Sequence, residues 1–85
     1  MELKDTIDLM QSDDFKDRFC AEYHQIDIRM KKLGVMLKRW ERGDLDFKPT
    51  APKTLLYSQY AFMQAYLSTL VKRAEIEGID LREVG

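Results

Sequence analysis

The sequence predicts an all-α fold: an antiparallel hairpin of two long helices with a short N-terminal helix, assembled as a helical homo-oligomer. Three observations predict it. Phe19, Tyr23, Ile26, Met30, Leu33, Leu37 and Trp40 recur at alternating steps of four and three, and so do Leu56, Tyr60, Met63, Leu67, Leu70 and Ala74. That spacing lays each set along one seam of a helix. Between the two stretches lies a single break, Gly43 to Pro52, short enough to make the helices antiparallel neighbours. Finally, Ile28, Val35 and Met36 in the first stretch and Leu55, Phe62 and Val71 in the second are apolar but lie off the seams. A lone hairpin would expose them, and a contiguous exposed apolar patch marks an interface. The expected partner is a second copy of the chain, two hairpins making a four-helix arrangement at minimum.

Taken in order, residues 1–11 form a short helix with Leu3, Ile7 and Met10 at helical spacing, an apolar face too small to stand alone. Ser12 is the expected N-cap of a long helix over 13–42, with Asp13 and Asp14 in the first turn where the helix dipole favours acids. Gly43 is its stop signal. Gly34 sits inside the seam; it costs about 1 kcal/mol relative to alanine and points to close backbone approach by another helix. Residues 43–52 form the loop, in which Pro49 and Pro52 bracket the next helix start. The second long helix covers 52–77, Gly78 caps it, and 78–85 form a tail, all within one domain spanning 1–85.

With 85 residues, the chain allows one small domain that buries roughly 60–65% of the surface its unfolded form exposes. Apolar residues make up 45% and charged residues 34%, which excludes both a disordered chain and a membrane-embedded one. No apolar run approaches the length of about 18 residues needed to span a bilayer, and the acidic start Met1-Glu2-Leu3-Lys4-Asp5 is unlike a signal peptide. Cys20 is the only cysteine, so no internal disulfide can form and a reducing cytoplasm is the expected compartment.

The net charge of −1 conceals an uneven distribution. Acids dominate both ends, while Arg29, Lys31, Lys32, Lys38 and Arg39 follow one another with no acid between Ile28 and Trp40, and no acid occurs between Phe47 and Ala74. A local positive field of this kind attracts phosphates even at near-zero total charge, although charge runs are ordinarily solvated faces. A sequence pI of about 5.8 argues against DNA or RNA as the partner. Catalytic patterns are missing: His24 is the only histidine, the glycines are scattered, and the acids lie on charged faces and ends. No metal site, phosphate loop or carboxylate pair is expected, and the chain reads as a binder needing no cofactor, not an enzyme.

One feature resists a purely structural reading. Gln59, Tyr66 and Arg73 recur every seven residues, which aligns them on one line of an otherwise apolar helix. They either satisfy one another and a partner helix in a seam, or face a ligand in an oligomeric pocket. Pairing about the loop sets Glu22 opposite Arg73 and Arg29 opposite Tyr66, and a Glu22–Arg73 ion pair would account for both residues without a ligand. Arg18, Gln25 and Lys32 form a second seven-residue line, of the kind that commonly flanks coiled-coil seams.

The sequence Arg18-x-x-x-Glu22, Arg29-x-x-Lys32-Leu33, then Leu55-Leu56-x-x-Gln59-x-x-x-Met63-x-x-Tyr66-Leu67-x-x-Leu70-x-x-Arg73, ending Glu77-Gly78-Ile79, resembles the small helical-hairpin proteins of crAss-like phages and prophages. That hairpin is similar to the one shared by phage anti-CBASS and anti-Thoeris proteins, oligomeric sponges that sequester cyclic nucleotide immune signals without cleaving them. The resemblance implies a homo-oligomer in the bacterial host cytoplasm whose partner is a nucleotide second messenger. It also implies ligand contacts at Gln59, Met63, Tyr66 and Arg73, with Arg29, Lys32 and Arg18 as further cations. Residues 1–14 contain no match to the Gly-Tyr-Arg segment of the anti-CBASS sponges. The competing expectation is an interaction module that binds a host or phage protein, its polar lines setting helix register.

Overall fold

A computed structural model describes residues 1–81, in which every regular element is helical and there is no strand among the described residues. A 3₁₀ turn, Leu3–Thr6, runs into a one-turn helix α1, Ile7–Met10; two long helices follow, α2 at Phe15–Arg42 and α3 at Lys53–Glu77. No helix is long and apolar enough to cross a membrane.

The start of α2 corrects the expected cap. Asp14, with extended backbone, accepts a hydrogen bond from the Lys16 amide at 2.9 Å and is the N-cap, while Ser12 lies two residues before that cap. Ser12 instead ties the approach together: its hydroxyl accepts from the Asp14 amide at 3.0 Å and donates to Asp17 at 2.8 Å. Aspartate at the cap also places its charge at the positive end of the helix dipole. At the other ends, Gly43 (φ 76°) and Gly78 (φ 69°) close α2 and α3 in the left-handed conformation that a side chain disfavours.

Contacts between α2 and α3 run in opposite chain directions. Glu41 meets Tyr57, Gly34 meets Tyr60, and Glu22 meets Tyr66. The core lies at the end far from the loop, where Phe19, Cys20, Leu70, Ala74 and Ile79 are buried with Leu9, Tyr23 and Leu81 packed against them. Apolar burial of this kind contributes about 25 cal/mol per Å², and here the N-terminal segment, both long helices and the chain after α3 all supply it. Thr6 is 1% exposed; its hydroxyl donates to the Leu3 carbonyl at 2.7 Å and accepts from Gln25 at 3.1 Å. The segment whose own apolar face is too small therefore docks on α2 through a buried polar bridge as well as apolar contact.

Off-seam apolar residues split into two groups. Ile28 and Met36 are half-buried, whereas Val35, Leu55, Phe62 and Val71 are exposed. Phe62 keeps 74% of its surface open and Ile76 85%, more than any seam residue.

Candidate functional site

The open side of α3 is built by helical spacing. Leu55, Gln59, Phe62, Tyr66, Arg73 and Ile76 recur at three-, four- and seven-residue steps and share one strip, roughly a quarter turn from the seam of Leu67, Leu70 and Ala74. Within that strip a groove of about 430 Å³ is lined by Leu55, Ser58, Gln59, Phe62, Met63 and Tyr66, a volume in the range of small-molecule sites. Three of the sequence-derived candidates, Gln59, Met63 and Tyr66, thus meet in one place.

Tyr66 is not free to act as a simple phosphate donor. Its hydroxyl donates to Glu22 of α2, so Glu22 pairs with Tyr66, not with Arg73 as pairing about the loop suggested. Arg73 lies farther along the strip. Its guanidinium donates to Glu77 at 2.9 Å, one turn on, and sits 4.9 Å from the centre of the Phe19 ring. With Arg73 engaged by Glu77 and the Phe19 ring, and Glu22 by Tyr66, the expected ion pair does not form.

The remaining candidates lie on α2. Arg29 makes no hydrogen bond to Tyr66; its side chain and that of Lys32 are exposed and make no ion pair or hydrogen bond among the described residues. Arg18 is committed locally, donating to the Ser12 carbonyl at 2.7 Å. Of its polar line, Gln25 also turns to the N-terminal segment, reaching Thr6 and the Met10 sulfur. The α2 line therefore serves mainly to hold the N-terminus, with only Lys32 left open.

A second concavity escaped sequence reasoning. About 390 Å³ on the other side of the α2–α3 contact is lined by Gly34, Leu37, Lys38, Glu41, Arg42, Tyr57 and Tyr60. A methyl group at Gly34 would fall 2.9 Å from Tyr60 Cε2, closer than carbon atoms tolerate, so the glycine exists to admit that ring. The signal was present in the sequence as a glycine inside a helical seam; its partner could be identified only once the register of α3 was known. Tyr57 is held by donating to Glu41 at 3.0 Å, and Lys53 approaches the same carboxylate at 3.3 Å. The Tyr57 hydrogen bond, followed by Lys53, holds the Glu41 carboxyl below its usual range; burial and then Glu41 push Tyr57 up.

Cys20 is buried, and its thiol lies 3.2 Å from the Asp80 carbonyl. Burial first, then the nearby acids Asp17, Asp80 and Asp14, push the thiol pKa up. It packs as a small apolar residue and is poorly suited to attack a substrate.

Comparison with known proteins follows this geometry closely in extent. A family model described as Sequestin matches residues 13–76, the span from the approach to α2 almost to the end of α3. No curated protein and no solved structure matches the chain. The chain belongs to the Sequestin family.

Proposed function

We propose that this chain is a phage or prophage anti-defence protein that forms a helical homo-oligomer and sequesters a nucleotide-derived immune signal, a cyclic nucleotide, in the bacterial host cytoplasm without cleaving it. The groove gathering Gln59, Met63 and Tyr66 on the open strip of α3 carries the reading, and the family's name, which speaks of sequestering, supports it.

The chemistry of the groove is that of a binder. Leu55, Phe62 and Met63 offer apolar surface to a base, Gln59 offers both a donor and an acceptor, and Tyr66 offers a ring edge. Glu22 is acceptor-only when ionised, so near Tyr66 it favours ribose hydroxyls or an exocyclic amine over phosphate. For phosphates the reading calls on Arg73, should a ligand replace Glu77 on its planar fork, and on the exposed cations Arg29 and Lys32 of α2, which lie outside the lining of the groove. A second copy laid over Leu55 and Phe62 turns the open groove into an enclosed one, which strengthens each of these polar contacts by excluding water.

A second reading rests on the same exposed residues: Phe62 and Ile76 would serve equally as anchors for a different protein. A thermal-shift panel of cyclic di- and trinucleotides and cyclic ADP-ribose isomers separates the two. At one hundred times its dissociation constant a ligand should stabilise the fold by about 2.7 kcal/mol, and Gln59→Ala should abolish the shift while leaving the unliganded melting temperature unchanged. No shift with any of these nucleotides would favour the protein partner.

A further inference from the structure

From the second concavity we infer that the chain carries another ligand site, on the opposite side of the α2–α3 contact from the groove above, which takes a planar aromatic ring bearing one anionic group, as in a nucleoside monophosphate. Its floor is Gly34 and Leu37, its wall Tyr57 and Tyr60, and its rim Lys38 and Arg42.

The ring class follows from the walls. Two tyrosines from successive turns of α3 line a space of about 390 Å³, and the missing side chain at Gly34 lets the Tyr60 ring lie against the α2 backbone. Tyr57 is fixed by its bond to Glu41, so its ring is already in place when a ligand arrives. Flat apolar walls with few rotatable parts favour stacking with a planar ring.

The single anionic group follows from the charges on the rim. Glu41 is already satisfied by Tyr57 and Lys53, and Arg42 by Asp44 at 3.3 Å. Lys38, in contrast, is exposed and its ammonium has no partner among the described residues. One uncommitted cation at the edge of an aromatic slot matches one anion on the ligand. The inference is independent of the proposed function, since it uses different residues and a different side of the molecule.

The test titrates adenosine 5′-monophosphate into the full chain labelled with ¹⁵N and follows amide chemical shifts. The expected result is saturable movement of Gly34, Lys38, Tyr57 and Tyr60, with adenosine binding at least tenfold more weakly. Lys38→Glu, a solvent-exposed change that leaves the melting temperature unaltered, should weaken binding tenfold or more, and Gly34→Ala should remove it by displacing Tyr60. Gln59→Ala should leave it unchanged. Absence of saturable shifts, equal binding of adenosine, an unaffected Lys38→Glu variant, or protection of this face by a second copy in the free protein would each overturn the assignment. Movement confined to Gln59, Met63 and Tyr66 would overturn it too, while leaving the groove of the proposed function intact.

Discussion

The N-terminal half of α2 and the open strip of α3 are similarly apolar but are covered very differently. Phe19, Cys20, Ala21 and His24 are buried, and the core around Phe19 and Cys20 draws on the N-terminal segment, α3 and the chain after Gly78. On α3 only Leu67, Leu70 and Ala74 reach that state, all toward its C-terminal half, and Phe62 and Ile76 stand open. One end of the molecule is committed to stability. The Leu55–Tyr66 strip and the Gly34–Tyr60 slot, nearer the loop, are left open.

The largest effect expected from that contrast is at Leu70, which is 2% exposed. Leu70→Ala should cost about 2–5 kcal/mol, a large share of the roughly 5–15 kcal/mol that holds a domain together, measured by urea denaturation. A loss under about 1 kcal/mol would mean that the buried end is not where stability resides.

A smaller effect sharpens the comparison at the junction of the two regions. Arg73 is partly exposed, with an ion pair one turn away and the Phe19 ring beneath it. Such contacts contribute about 0.3–0.5 and 0.5–1 kcal/mol respectively, so Arg73→Ala should cost about 1 kcal/mol. In double-mutant cycles Glu22→Ala should couple to Tyr66→Phe and not to Arg73→Ala. Coupling of Glu22 to Arg73 instead would restore the ion pair that simple pairing about the loop suggests and would withdraw Arg73 from ligand duty.

How much of this could be read in advance depended on whether the signal was local. Gly43 and Gly78 mark helix ends by their own backbone geometry, and the seam residues Leu37, Leu67, Leu70 and Ala74 declare themselves by spacing. Ser12 misled because Asp14 takes the cap by accepting from the Lys16 amide, while the Ser12 hydroxyl is committed to the Asp14 amide and Asp17. The partners of Glu22, Arg73, Gln25 and Arg18 were out of reach for a different reason: long polar side chains span more than one helical turn, so pairing about the loop places backbones but not side-chain tips. Gln59, Met63 and Tyr66 come together in one groove because they share one helix, where spacing alone decides which residues are neighbours.

Central to the account is that the open strip of α3 both joins copies and retains a nucleotide intact. The direct measurement is gel filtration of the chain with the nucleotide that gives the largest thermal shift, light scattering on the eluted peak, and mass spectrometry of what heating the peak releases. The expected result is a dimer or larger species carrying uncleaved nucleotide, and a Phe62→Glu variant, helical by circular dichroism, that elutes smaller and empty. A cleaved product, or a monomeric Phe62→Glu variant that still retains the nucleotide, would contradict it.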